Sequence, residues 1–429
     1  MTATADGAAP ASSTMPRPSV PATQDSLGPN PSGRGLPGLT GARWWAAATV
    51  FILHALVFLP TYPFQKSQLF RRIHQDFVPM QFGATAVTFF FVLSGFIIYW
   101  SFRPGTSTVA FLRRRALKIY PTHLVAAAAF ILVAAVPLSR TVAWVPNLLL
   151  IHTWVPKWTT VGGLNVPSWS LAAEVLFYLS FPLVLPLVRR IHTDRLLPWI
   201  TGLLVFIILL NTAYYLGLDG PTSTTNAFAP RLVPGEVSPP TELHASPAWF
   251  RQADIPIVQS YWFSYNFPLS RLPEFFAGML VARMVIEGRW RTTRLTLPVV
   301  ALALAYAATW VVPVTYKMSA LVVGPICALV ATIAARDLQG VSGLIASRPL
   351  VWLGNISFAF YAIQLPIMVL VTRLVIGGRQ FGFLGWLGCT TLCFALSVLA
   401  AAAIYHWVDL PVMRRFAHRR PRKSPHLTT

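Results

Sequence analysis

Residues 43–60 read RWWAAATVFILHALVFLP. Apart from Arg43, Thr49 and His54 the stretch is apolar, and no glycine or proline interrupts it before Pro60. About 20 such residues, rising 1.5 Å each, cross the ~30 Å hydrocarbon core of a bilayer. Similar runs recur, and ten candidate spans emerge at 44–62, 84–102, 119–137, 168–188, 196–216, 264–284, 295–314, 318–336, 350–372 and 383–407. With 55% hydrophobic and 11% charged residues and a mean hydropathy of +0.58, the chain departs far from an average soluble domain. The fold class expected is therefore an all-α polytopic integral membrane protein with about ten transmembrane helices, placed as a multi-pass protein of the cell (plasma) membrane. The run AWVPNLLLIHTWVP (143–156) is too short and proline-bounded to span, and reads as a re-entrant or interfacial segment.

A formal charge of +21 would point to nucleic acid in a soluble protein. Here the basic residues lie in short segments between apolar runs, so nucleic acid is excluded as a partner and the bilayer takes its place. With the N-terminus inside, 23 of the 34 Lys and Arg residues fall on the cytoplasmic side, which predicts both termini cytoplasmic. Residues 1–42 are rich in Pro, Ser and Ala without apolar periodicity and read as a disordered cytoplasmic tail rather than a secretory signal. Residues 43–412 form the transmembrane domain, and 413–429 a basic cytoplasmic tail. One long connection, about 217–262, faces outward. Cys327, Cys389 and Cys393 all lie in apolar runs without neighbouring ligands, so neither a disulfide framework nor a metal site is expected.

Polar residues inside such runs are costly and point to function. Eleven residues separate Arg43 from His54. At 100° per residue they share a face to within about 20° and stand about 16 Å apart along the axis. That spacing suits a long ligand with its charged end at the water line and its reactive end inside the membrane; an anchoring arginine and a packed neutral histidine are the plainer alternative. In PSWSLAAEVLFYLSFP (167–182), Ser170, Glu174 and Tyr178 follow at i, i+4 and i+8 with Trp169 alongside, and Glu174 is a candidate partner for a buried imidazole or a structural carboxylate. FLRRRALKIYP (111–121) places Arg114, Arg115 and Lys118 at the inner mouth of a span, as a phosphate clamp aided by the helix N-terminus or as orientation signals. FFFVLSGFIIYW (89–100) offers Ser94 beside Gly95, where close helix approach is the default reading. In LSRLPEFFAGM (269–279), Arg271 and Glu274 either pair locally or line an acceptor entrance.

Together these segments, with FAFYAIQLP and YHWVDLPVMRR, resemble in order the membrane-bound acyltransferase-3 family over about residues 40–415. RLPEFFAGM is most similar to its macrolide O-acyltransferase-like branch. The resemblance implies transfer of an acyl group, usually acetyl, from cytosolic acyl-CoA to a hydroxyl of a sugar, lipid, glycan or macrolide-type natural product, without a metal. It implies His54 as catalytic base or transient acyl carrier, Arg43 as its motif partner, Arg115 and Lys118 as the basic pair, and Glu174 as the acidic residue. Arg43, Arg114, Arg115 and Lys118 would then hold acyl-CoA, acetyl-CoA foremost. Ser94, Trp169, Ser170, Tyr178, Arg271 and Glu274 would meet substrate. Two positions depart from the pattern: Gln364 stands where many members have His, and Asp409 where they have Glu. No fused extracytoplasmic domain is expected. A proton-coupled transporter or flippase for an amphipathic metabolite is the alternative reading, and a membrane scaffold a third.

Overall fold

In the computed structural model, which describes residues 35–218 and 259–416, ten helices have thirteen residues or more among the described residues. They are α1 (Pro37–Phe58), α2 (Met80–Ser101), α3 (Thr108–Ala134), α4 (Trp169–Arg190), α5 (Leu196–Gly217), α6 (Pro268–Ile286), α7 (Thr296–Ala308), α8 (Val323–Gln339), α9 (Arg348–Val371) and α10 (Phe383–Ile404). Among the described residues no strand is formed, only an isolated bridge between Pro63 and Phe381. Each helix overlaps one predicted span, but among the described residues seven are long and apolar enough to cross a membrane: α1 to α5, α9 and α10. The 19-residue α6 contains Arg271, Glu274 and Arg283, while α7 and α8 are shorter, at 13 and 17 residues. Most of residues 1–42, most of the 217–262 connection and the end of the basic tail lie outside the described residues.

Two boundaries differ from expectation in ways that affect the site. Helix α1 reaches back to Pro37, so Arg43 sits in its second turn. Proline at the first helical position is favoured, because its missing N–H would be unpaired there anyway. Helix α3 begins at Thr108, where Ser107 Oγ accepts from the Ala110 N–H, eleven residues before the predicted span. The basic run is thus wound into helix and faces several directions; its polarity had concealed a helical start. Arg115 lies well past the first turn, beyond reach of the helix dipole.

Packing brings α1, α2, α3, α4 and α9 around one region. At the crossing of α2 and α6 a Cβ on Gly95 would lie 1.9 Å from the Phe275 carbonyl oxygen, and one on Gly278 would lie 2.0 Å from that of Val92, so the two backbones touch directly. This is the close-approach role anticipated for Gly95. Helices α1 and α9 pack through Trp44 and Phe51, whose rings stand 5.0 and 5.5 Å from Phe360. The segment between α3 and α4 does not span. It forms a short α-helix at Thr141–Leu148 and a 3-10 turn at His152–Trp154 and folds back onto the helices. There Asn165 Nδ2 donates to Ala362 O at 2.8 Å and Trp262 Nε1 to Thr153 O at 3.0 Å. Pro366 within α9 has no N–H for the Ala362 carbonyl four residues earlier, and Asn165 satisfies it instead.

Candidate active site

A cavity of about 500 Å³ opens between these five helices, within the size range of small-molecule sites. Its walls run from exposed Arg103, just past α2, to buried Val87 on that helix, and along α3 from buried Phe111 through half-buried Arg114 to buried Ile119. Ser170, Glu174 and Tyr178 line it from the first turns of α4, Ser357, Phe358 and Tyr361 from α9, and Arg43 from α1. The open end is therefore the Arg103–Arg114 end, and the blind end is formed by Val87, Phe90, Ser170 and Tyr361. Five basic side chains (Arg43, Arg103, Arg114, Arg115, Lys118) face one carboxylate, Glu174, so the wall suits a polyanion.

The charged groups are held in place by neighbours. Arg115 Nη2 donates to Ser101 Oγ at 3.3 Å, and its guanidinium lies over the Tyr178 ring at 5.8 Å. Lys118 Nζ is 3.7 Å from Asp409 Oδ2, whose other oxygen accepts from Thr122. Asp409 thereby ties the chain after α10 to α3. Tyr178 donates to Glu174 Oε2 at 3.0 Å, the Ser94 side chain reaches the same phenol, and Arg43 and Arg115 are the cations acting on Glu174. At the blind end, Ser170 Oγ lies 3.0 Å from Tyr361 Oη, which donates to Pro167 O at 2.8 Å.

Of the residues singled out in the sequence, Arg43, Ser94, Arg114, Arg115, Lys118, Ser170, Glu174 and Tyr178 share this cavity, and His54 does not line it. His54 is half-buried farther along α1, its ring 5.3 Å from Phe58, beside the Gln364 side chain. Among the described hydrogen bonds and ion pairs none joins it to Glu174: the carboxylate lies by Arg43, and His54 is about 16 Å along the helix from that level. Trp169 packs on Tyr265 at 4.5 Å, outside the cavity. Arg271 and Glu274 form no open entrance; they are 0% and 1% exposed and pair at 3.0 Å. Arg271 also donates to Thr88 Oγ1 and lies between the Phe91 and Tyr265 rings, joining α2 to α6. Arg103 and Tyr361 were missed as wall residues. Arg103 looked like one more orientation charge, and a tyrosine inside an apolar run carries no signal of its own.

The acyltransferase domain of the acyltransferase-3 family matches residues 36–406. Acyltransferase MdmB of Streptomyces mycarofaciens is 34% identical over 399 residues, covering 90% of this chain and 94% of that protein. Nodulation protein 10 of Rhizobium leguminosarum bv. viciae is 30% identical over 128 residues, 25% of this chain and 35% of the relative. No solved structure matches significantly.

Proposed function

Because the chain belongs to the acyltransferase-3 family, we propose that it is a multi-pass membrane O-acyltransferase. It moves a short acyl group, acetyl foremost, from cytosolic acyl-CoA to a hydroxyl of a sugar, glycan or macrolide-type natural product at the plasma membrane. The observation carrying this reading is the cavity: five cations at and behind its mouth, an apolar and hydroxyl-lined interior, and a wall shared with the helix that bears His54. Arg114, Arg115, Lys118 and Arg103 bind the CoA phosphates, and Arg43 extends the positive wall inward. Tyr178, oriented by Glu174, and the Ser170–Tyr361 hydroxyl pair contact the donor's inner end.

His54 removes the acceptor proton as its oxygen attacks the thioester carbonyl. The new C–O ester bond forms, the C–S bond breaks, and the CoA thiolate leaves with the proton that His54 returns. A relay through an acyl-histidine, in which the imidazole attacks first and the hydroxyl second, gives the same balance. Tyr361 at the blind end lies one helical turn from Gln364, whose side chain reaches His54, so the thioester approaches the imidazole past Tyr361.

Purified protein in detergent, given radiolabelled acetyl-CoA and a panel of hydroxyl acceptors, is expected to form labelled ester without any ion gradient. His54→Ala is expected to lower the rate by about 10²–10⁴-fold while the protein still inserts. Near-normal turnover in that variant would remove His54 from the chemistry. Gradient-dependent movement of an amphipathic metabolite without ester formation would favour the transporter reading.

A further inference from the structure

Gln364 lies on α9 one turn beyond Tyr361, the deepest α9 residue on the cavity wall, and is fully buried. Its amide has a defined orientation. Nε2 donates to the Tyr361 carbonyl at 3.0 Å; the flipped amide would set oxygen against oxygen there, so Oε1 is the atom left free. The side chain reaches the His54 ring on α1. His54 Nδ1 and Gln364 Oε1 are both buried, and neither makes a hydrogen bond of ordinary geometry, to each other or elsewhere, among the described residues. A buried polar atom left unpaired is costly, so two such atoms on side chains in mutual reach point to each other as partners.

The chemistry of the pair has one solution. A neutral imidazole carries its proton on one nitrogen, and the amide oxygen can only accept. We infer that Gln364 is a positioning residue for His54: Oε1 accepts from Nδ1–H, which fixes the tautomer and leaves the Nε2 lone pair as the base. The backbone beneath Gln364 is itself braced, since Asn165 Nδ2 fills the carbonyl of Ala362 that Pro366 leaves without a donor. A neutral acceptor selects the tautomer without adding a negative charge to the span, which a carboxylate would do. This inference rests on the reading of His54 as the base, and it gives Gln364 a role that requires no proton of its own.

Two measurements test it. In ¹⁵N-histidine-labelled protein, the signals lost on His54→Ala identify residue 54, and their shifts are expected to report the Nδ1–H tautomer in the wild type. A mixture of tautomers is expected in Gln364→Met. A wild-type Nε2–H tautomer would overturn the inference, and this readout does not depend on activity. In turnover, Gln364→Met is expected to lower kcat about 10–100-fold with donor KM unchanged, whereas Gln364→Glu, which buried as the neutral acid keeps an acceptor oxygen, recovers most of it. Wild-type kcat in Gln364→Met alongside an inactive His54→Ala would refute the positioning role and leave the proposed function standing. No ester from the wild type with any acyl-CoA would sink the proposed function, with the tautomer still deciding the pairing. If Gln364→Met fails to insert, the wild-type tautomer and Gln364→Glu turnover remain decisive.

Discussion

Arg43 and His54 share one face of α1, yet the fold gives them different surroundings: Arg43 faces a cavity with Glu174 and Tyr178, and His54 a buried amide. For Arg115, whose guanidinium is braced by Ser101 and Tyr178, replacement by alanine is expected to raise the KM for acyl-CoA about 10- to 100-fold. That is the value of a charge-assisted hydrogen bond of about 1.5–3 kcal/mol, and initial-rate kinetics with varied donor would show it. A residue outside the cavity lining caps α1. Its N-cap, Leu36, offers no side-chain acceptor, and Asp337 at the end of α8 supplies one from across the molecule: Gly38 N–H donates to Oδ1 at 2.8 Å and Leu39 N–H to Oδ2 at 3.1 Å. Asp337→Ala is expected to cost about 1 kcal/mol, as the loss of a helix cap does, seen as a lower melting temperature in detergent. No local pattern marks Asp337 as a cap, because its partner helix lies some 300 residues earlier.

At the scale of elements, the seven long apolar helices were legible because span length is set by bilayer thickness, whatever the neighbours. The extension of α3 back to Thr108 was not legible: the cations were expected at the mouth of a span beginning near 119, and only Ser107 capping the first turn shows that they are wound into the helix. Contact between α2 and α6 depends on two missing side chains. Gly95→Leu or Gly278→Leu places carbon atoms where carbonyl oxygens now lie, and is expected to abolish folded protein in a size-exclusion assay. Gly388→Ala, with open space around the added carbon, is the control expected to behave as wild type. The buried Arg271–Glu274 pair belongs to the same contact, and this explains why RLPEFFAGM has charges without offering them to solvent.

At the scale of the whole molecule, two buried histidines outside the transmembrane helices make stability depend on pH. Burial pushes His74 down to about 4, against a backbone contact at Val78, and pushes His152 down to about 3. Each is neutral in the fold and takes up a proton on unfolding below the ordinary value near 6.5. Their stabilisation is therefore fully present above pH 6.5 and declines as pH falls, for His74 down to about 4, by roughly 3 kcal/mol. Melting temperature in detergent is expected to fall between pH 6.5 and 4, with a shallower slope in His74→Phe; an unchanged slope would contradict this source.

Hydrophobic length and helical periodicity are local properties, so the membrane-spanning helical class, the ordered motifs of the family and the residue types that meet in the cavity are legible along the chain. Which of those residues meet is a matter of packing. Glu174 turned to Tyr178 and the basic wall, Arg271 closed on Glu274, Asp409 braced Lys118, and Gln364 came to His54. These pairings join residues on different helices or choose among equal neighbours on one helix. The burial of unpaired polar atoms, which exists only once the helices pack, selects them.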